Sequence, residues 1–508
     1  MRMLKPLIII IFFVLLSTML LAVSNGKVDL YHFSDYHSHA ISFYSEGDHD
    51  IGGISRIMWY LQEIKKTDDN LVFNGGDMVN IGTPAWSDKY QHIEMYWINN
   101  LIDAMAYGNH EGDYGREAFN NVVENVTYPV LCSNAVDENN EPIYVYDGKT
   151  HLTFERNGIK VGVFALAGTD FRDLVDPEDR PIENCAFIDR AKVATKVIEK
   201  MQNENCDLIV LIGHALEEED IELAQSVDGI DIIFGTHSHL KKGLFKIEGT
   251  DTYMISPYQY GTYFSHVSVN FNEEGDKLVN GELIKMDEYI PKDPFILSKV
   301  KELQEKLEAD PEYAHLFEVI GSAANEISSE NGNIMDTRLG NLVADLMRKS
   351  TDSNCALSTA SSFRASIPPG ELNYEGLKNA IPYPNIIYTY EITGKQVMDL
   401  IEMSVSKAGT DLFSQISGLK IKYNDDGLVS AKILSDPEGN NYEKIDKDKT
   451  YQVATSNYQG LYAGGYSGIF KQAEYHDTGI DIQQLVADYF EENSPVKGVK
   501  DSRIEYIN

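Results

Sequence analysis

The sequence predicts a layered α/β protein of two domains, and three observations carry that expectation. Short apolar, β-branched runs alternate with helical stretches over the first half of the chain, the pattern of a βαβ-built domain. A charged segment with helical apolar spacing interrupts this near residue 293. Beyond it the mixed α/β pattern starts afresh, and 508 residues are enough for two domains.

The chain opens on a targeting segment. Arg2 and Lys5 make a positive n-region, Leu7 to Val23 is an almost unbroken apolar run, and Ala22-Val23-Ser24 offers small residues where a signal peptidase cuts. The run fits a signal peptide ending near residue 24 or, if uncleaved, an N-terminal anchor. No Cys follows it, which argues against lipoprotein processing. Either way the body of the protein is expected outside the cytoplasm, periplasmic, secreted or at the cell surface.

Composition narrows the partners. A formal net charge of −36 argues against nucleic acid and anionic lipid, both of which demand a basic face. An anionic substrate would need bound metal or local arginines to overcome that field. Cys132, Cys185, Cys206 and Cys355 include no CxxC pair, which excludes a zinc knuckle or a thioredoxin-type motif. Cys132, Cys206 and Cys355 flank apolar runs and read as buried free thiols.

From Lys27 to about Asn280 the strand-like runs share one feature: each ends in polar, ligand-bearing residues. Val28–Phe33 leads to Asp35-Tyr36-His37, and Leu71–Phe73 leads to Gly76-Asp77. Leu208–Ile212 leads to Gly213-His214, and Ile232–Phe234 leads to Gly235-Thr236-His237-Ser238-His239. A fifth stretch, Gly108-Asn109-His110-Glu111-Gly112-Asp113, sets an amide, an imidazole and carboxylates in succession. Ligands just past strand ends are expected to gather at one edge of a sheet, where open α/β folds bind. Ile51–Lys66 and Ala191–Gln202 are the helices expected between strands, and Tyr253–Ile255 and His266–Phe271 are expected as further strands.

Carboxylate, amide and imidazole together suit one or two divalent metals. A pair about 3.5–4 Å apart needs a bridging carboxylate, and Asp77 is the natural bridge. Asp35 and His37, two residues apart on an extended chain, are expected to point to one face and serve one metal. His237 and His239 share that spacing, which leaves open whether they serve one metal or are split. Asn109 and His214 complete the second site. A hydroxide between the metals would be the nucleophile. His110 follows a ligand directly, and Asp113 is placed to orient its ring as a base–orienter pair. Each piece alone is common in a chain with 13 His, but five in order at strand ends are not. His32, His39, His49, His92, His151 and His266 read as structural or surface residues, His39 being the nearest to the cluster.

Asp293 to about Ala323 carries Ile296, Val300, Leu303 and Leu307 at helical spacing, a connecting helix with one apolar stripe, followed by Pro311 and a second helical piece. Leu339, Leu342, Val343, Leu346 and Met347 then mark an amphipathic helix capped near Asp336 or Thr337. A strand around Ala356–Thr359 and the turn Ile367–Gly370 follow. No internal repeat or nucleic-acid motif is present.

The order D-x-H, G-D, G-N-H-E-x-D, G-H, G-T-H-x-H resembles the calcineurin-like metallophosphoesterases. The string Gly108–Gly115 resembles their 5′-nucleotidase branch, which includes UDP-sugar hydrolases and 2′,3′-cyclic nucleotide phosphodiesterases. That resemblance implies a four-layer αββα metallophosphoesterase domain at 25–292 after a signal peptide at 1–24. It further implies a connecting helix at 293–330 and an α/β nucleoside-binding domain at 331–508. It implies that Asp35, His37, Asp77 and His239 hold one metal, and that Asp77, Asn109, His214 and His237 hold the other. The ions would be Zn, Mn, Fe or Co, with His110 and Asp113 as the catalytic pair. Tyr383 and Tyr458 match the aromatics that sandwich the base, and Arg364 keeps the arginine of the family's Asn-Gly-Gly-Gly-Ile-Arg run, here Thr359–Arg364. The family's Gly-Gly-Asp-Gly segment, whose Asp binds sugar hydroxyls, reads Gly464-Gly465-Tyr466-Ser467-Gly468. The expected function is an exported dinuclear-metal phosphohydrolase acting on a nucleotide or similar phosphate ester. The rivals are a cyclic-nucleotide phosphodiesterase or UDP-sugar hydrolase on the same scaffold, and a non-catalytic exported nucleotide-binding surface protein.

Overall fold

A computed structural model describes residues 26–272, 274–436 and 441–507. The expected targeting segment, Leu7–Val23 included, lies outside the described residues. No helix among the described residues is long and apolar enough to cross a membrane.

Two six-stranded sheets make the first half of the chain. In one, Lys27–Phe33, Asn70–Asn74, Ala104–Ala106 and Val130–Leu131 run parallel, and Tyr263–Phe271 and Lys277–Lys285 extend the other side of Lys27–Phe33 antiparallel. In the other, Ile159–Phe164, Leu208–Leu211, Ile232–Phe234 and Tyr253–Pro257 run parallel, flanked by antiparallel Leu152–Arg156 and Lys241–Lys246.

Why the runs are apolar throughout becomes clear from their two faces. Leu208 and Val210 point between the sheets, beside Leu30, Phe73 and Phe234. Ile209 and Leu211 point outward beneath Val193, Val197 and Met201 of the Arg190–Asn203 helix. Val28 and Leu30 likewise face inward, while Phe33 packs outward with Ile54, Ile57 and Leu61 of the Ile54–Ile64 helix. A strand buried on both faces loses the polar alternation of a half-exposed one. The result is helix, sheet, sheet, helix. One expectation changes: the ligand-bearing strand ends belong to two facing sheets, not to a single sheet edge.

The Pro294–Glu308 helix begins at an Asp293 cap, whose carboxylate accepts from Ile296 N at 2.8 Å. Its buried Ile296, Val300 and Leu307 join the core under the first sheet, so its apolar stripe docks there. The second helical piece is a short 3₁₀ turn, Ala314–Phe317. Val319–Ala323 pairs with Gly370–Asn373 farther along the chain.

The remainder is built on a five-stranded sheet in the order Ser414–Ser417, Cys355–Thr359, Thr450–Ser456, Ile386–Thr393, Tyr475–Asp481. A four-stranded sheet, Tyr442–Lys444, Gly427–Leu434, Leu419–Asn424 and Ile504–Tyr506, lies beside it. Thr337 caps the Arg338–Ser350 helix by accepting from Gly340 N at 2.9 Å, and Leu339, Val343 and Met347 are its buried stripe. All four cysteines are free thiols, three buried and Cys206 half-buried.

Candidate metal centre

The candidate residues meet where the ends of the two sheets face one another. Asp35 and His37 come after Phe33, past the end of their strand, so they do not reach a common face by β-alternation. The loop brings them together with positive φ at Asp35 (52°), His37 (47°) and Ser38 (51°). Asp77 (53°), His237 (55°) and His239 (49°) adopt the same left-handed conformation. Non-glycine residues there carry a steric cost, and such strain concentrates at functional sites.

Two glycines make the close approach of these loops possible. Gly76 has φ of 92°, and a Cβ on it would stand 2.7 Å from Gly108 N. A Cβ on Gly108 would stand 2.3 Å from Asp77 Oδ1. The Gly-Asp and Gly-Asn pairs therefore pack backbone to backbone.

The donor side chains converge around Asp35 and Asp77, both almost wholly buried. His239 Nε2 lies 3.2 Å from Asp35 Oδ1 and 3.2 Å from His37 Nε2. His214 Nε2 lies 3.1 Å from Asp77 Oδ2. The His214 and His237 rings are 4.9 Å apart. Three overlapping groups offer ligand atoms within 4.8 Å of one another: Asp35, His37 and His239; His37, Asp77 and His110; Asp77, His214 and His237. Asn109 Oδ1 is buried and has no hydrogen-bond partner. Ring nitrogens facing each other and a buried amide oxygen without a donor fit a cation as their common partner.

The electrostatics agree with that fit. Burial would raise the Asp35 carboxyl, but the His239 hydrogen bond and the His239 and His214 charges hold it well below the usual range. Asp77 is likewise held down, against burial, by His214 and His110. Burial drives His37 well below the ordinary imidazole value, with Asp77 opposing, which keeps its lone pair available. His110 Nδ1 lies 2.8 Å from Asp113 Oδ2. Burial works against protonation there, but the Asp113 and Asp77 charges raise His110 to about 10.

The sequence assigns no role to Glu111 within its motif, leaves His39 outside the ligand set, and does not mark Asp170 at all. Glu111 is fully buried and accepts from Asp77 N (3.0 Å), Met78 N (2.8 Å) and Gly108 N (2.6 Å), tying two ligand loops to one carboxylate. Burial and the Asp77 charge push it up to about 7, against those donors. Asp113 Oδ2 also accepts from Ile81 N at 2.8 Å. His39 stacks on Tyr260 with ring centroids 3.7 Å apart, at the edge of the cleft. Asp170 Oδ2 lies 3.0 Å from His237 Nε2.

The C-terminal half closes over this centre. Arg364 Nη1 lies 2.6 Å from His239 Nδ1, and Arg364 Nη2 donates to Tyr383 Oη at 2.9 Å. Ala85 N donates to Glu375 Oε1 at 2.8 Å, and Lys378 Nζ to Gly82 O at 2.8 Å. Between them a cleft lined by His110, His239, Tyr260, Arg364, Asn379 and Tyr383 has a volume of about 30 Å³. Tyr383 and Tyr458 are partly exposed, 41% and 38%. Tyr466 is fully buried, with its hydroxyl bonded to Ser414 and Leu412, and Thr359 is fully buried too.

Comparison with known proteins matches both halves of the chain. Residues 29–241 match the family model described as calcineurin-like phosphoesterase, and residues 319–472 match that described as 5′-nucleotidase, C-terminal domain. The trifunctional nucleotide phosphoesterase YfkN of Bacillus subtilis is 25% identical over 88% of this chain, which spans only 33% of that protein. The 5′-nucleotidase of Rattus norvegicus is 23% identical over 90% of this chain and 85% of its own length. In fold, the chain is similar to a 5′-nucleotidase precursor of Thermus thermophilus (TM-score 0.75, 24% identity, 95% of this chain and 100% of that one). It is also similar to a sulfate thiohydrolase, SoxB, of the same species (TM-score 0.73, 16% identity, 95% and 97%), so the fold by itself does not name a substrate. With both halves matched in order, the chain belongs to the family that joins a calcineurin-like phosphoesterase domain to a 5′-nucleotidase C-terminal domain, and it is a metal-dependent phosphoesterase.

Proposed function

We propose that this chain is an exported phosphohydrolase of the 5′-nucleotidase type, holding two divalent ions and removing phosphate from nucleotides. The observation that carries the reading is the position of Asp77, common to two of the donor groups, with His214 and His237 in one and His37 in the other. Asp35, His37, Asp77 and His239 hold one ion; Asp77, Asn109, His214 and His237 hold the second. When bound, two such ions neutralise charge on a phosphoryl group and make water a nucleophile at neutral pH.

The protein's own groups supply the rest. His110, kept protonated by Asp113 and Asp77, presents a cation and a proton to the ester oxygen that leaves. Arg364, half-buried in the cleft beside Tyr383, pairs with the substrate phosphate, for which a guanidinium fork is suited. Tyr383 and Tyr458 take the base between them. In this reading residues 25–292 carry the metals, 293–330 connect, and 331–508 bind the nucleoside. Arg2, Lys5 and the Leu7–Val23 run support export, to the periplasm or outside the cell.

Phosphate release from AMP, cyclic AMP and UDP-glucose, with Mn²⁺ added, tests the reading. AMP is expected to be the best of the three. Preference for cyclic AMP or UDP-glucose would move the chain to a neighbouring activity, and turnover of none would defeat the proposal.

A further inference from the structure

The sequence offers no motif at residues 167–170, yet this segment is delivered to the metal centre. Ala167 bridges to His214 in parallel register, and Gly168 N donates to His214 O at 2.7 Å. Thr169 is bonded through both its N–H and its hydroxyl to Glu219. Pinned on both sides, the segment turns into the Phe171–Leu174 helix with Asp170 at its start. Asp170 does not cap that helix; no side-chain cap bond forms. Instead its Oδ2 stands 3.0 Å from His237 Nε2, and its Oδ1 is buried without a hydrogen-bond partner. Phe171, the next residue, packs its ring against both His214 (5.9 Å) and His237 (6.2 Å).

A neutral imidazole has one N–H and one lone pair, and the partner of one nitrogen decides which is which. A carboxylate can only accept from His237 Nε2, so that nitrogen carries the proton. The lone pair is then left on Nδ1. Histidines that bind metal usually donate their other N–H to a carboxylate or carbonyl, which fixes the ring and raises its basicity. His214 has such a partner in Gly75 O, 2.7 Å from its Nδ1, and His37 has one in Val79 O, 3.2 Å from its Nδ1. For His237 that place is taken by Asp170, the one among these three partners that brings a full negative charge.

We propose that Asp170 is a positioning residue of the metal centre, holding the His237 ring through Nε2–H so that Nδ1 ligates the second ion. This rests on the two-ion reading above, in which His237 is a ligand. It adds a residue that neither the ligand motifs nor the spacing identifies, and it makes the affinity of one ion depend on a side chain that does not touch it.

The test is metal binding rather than turnover. The purified full chain is equilibrated in Mn²⁺ buffers set by a chelator, and bound metal is counted for wild type, Asp170→Asn, Asp170→Ala and His237→Ala. The His237 tautomer is read from ¹⁵N-edited spectra of the metal-free protein. Wild type is expected to bind two ions. Asp170→Ala should still bind two, one of them about 10–100-fold more weakly, and should lose the uniform Nε2–H tautomer at His237. Asp170→Asn keeps the shape and an acceptor without the charge, and is expected to lose less affinity; it serves as the variant of record if the alanine protein does not fold. Unchanged Mn²⁺ affinity in both variants would overturn the proposal. So would weaker binding with the tautomer intact, which would make the effect one of charge alone. Loss of an ion as complete as in His237→Ala would overturn it differently, by making Asp170 a ligand. A wild-type protein that binds fewer than two ions would defeat the two-ion reading itself, and this proposal with it.

Discussion

Arg364 Nη1 stands 2.6 Å from His239 Nδ1, a contact that joins the C-terminal half directly to the metal centre. A guanidinium only donates, so Nδ1 must be the accepting nitrogen and Nε2 the protonated one, facing Asp35 Oδ1 at 3.2 Å. A neutral ring has a single lone pair. His239 therefore cannot accept from Arg364 at Nδ1 and ligate an ion through Nε2 at once. Under the proposed two-ion reading, metal loading and this Arg364 contact therefore exclude each other, and loading would free Arg364 for the substrate phosphate.

We predict that Arg364→Ala keeps or raises Mn²⁺ affinity while kcat/KM for AMP falls by about 10–100-fold, the loss expected for a charge-assisted hydrogen bond of roughly 1.5–3 kcal/mol. Metal counting and steady-state kinetics on one preparation decide it. Loss of metal together with activity would mean that the arginine supports the centre instead of competing with it.

Asp77→Asn should behave in the opposite way. It removes the charge from the residue common to two donor groups and leaves the His214 and His37 rings without their carboxylate. Activity is expected to vanish with the metal. Full occupancy by two ions with unchanged turnover would end the bridging assignment.

His110 stands in reach of His37 and Asp77, but its Nδ1 is engaged by Asp113. His110→Ala is expected to keep its metals and lose about 10²–10⁴ in kcat, as general acid–base groups do. The sign of the pH dependence follows from the raised pKa. A group that must be protonated works below its pKa and fails above it, so His110 gives activity an alkaline limb, placed above the ordinary imidazole range by the neighbouring Asp113 charge. Asp113→Asn removes the main charge that raises it, and the alkaline limb should move to lower pH. A limb that stays in place would separate His110 from the observed titration.

The cleft beside His110 and His239 is narrow, with a volume of about 30 Å³, and contacts between the two halves cross it. Glu375, Lys378 and Asn379 hold it shut by bonding to Ala85, Gly82 and Thr83, the loop next to the Asp113 partner Ile81. Separation of the two halves is therefore expected in every cycle, and motions of that kind often limit kcat. Cysteines introduced at Thr83 and Asn379, whose side chains are 3.2 Å apart, should lock the closed form when oxidised. Turnover is expected to stop on oxidation and return on reduction. Undiminished turnover in the oxidised protein would rule out the motion.

Much of this was legible from residue order. Runs such as Leu208–Leu211 are apolar on both faces, which announces a strand between layers, and the polar residues after each run announce a site. The periodicity could not assign strands to two sheets, because period and hydrophobicity are the same in either. Nor could it place Asp35 and His37, whose meeting depends on left-handed φ values at non-glycine residues rather than on strand alternation. The role of Glu111 within its motif, and Asp170 altogether, escaped for a third reason, since loop geometry alone brings them to their partners. Glu111 accepts from backbone N–H groups 33 and 34 positions away, and Asp170 meets a ring nitrogen 67 positions away. The Arg364–His239 contact spans 125 positions and depends on how the two halves meet.

Specificity turns on the C-terminal segments that depart from the pattern the sequence otherwise resembles. By the resemblance, Tyr466-Ser467 stands where the family carries its sugar-binding carboxylate; Tyr466 is wholly buried and bonded to Ser414 and Leu412, so its hydroxyl does not replace that contact, and Ser467, half-buried, brings no charge to it. Thr359, at the position of the lost amide, is also buried, its hydroxyl 2.8 Å from Ser361 Oγ. Tyr383 and Tyr458 remain partly exposed and able to stack. Stacking is worth roughly 1–3 kcal/mol per base and accepts any base, since each has a π-face. A site without groups built to pair a hydroxyl has little power to reject substrates that lack it. We therefore predict a broad range of bases and less than about a hundredfold preference for AMP over 2′,3′-dideoxy-AMP in kcat/KM. Tyr383→Ala and Tyr458→Ala should each raise KM by about 5–150-fold, the equivalent of that stacking energy. A larger ribose preference would mean that another polar side chain meets the sugar, and tyrosine variants with unchanged KM would remove the stacking clamp.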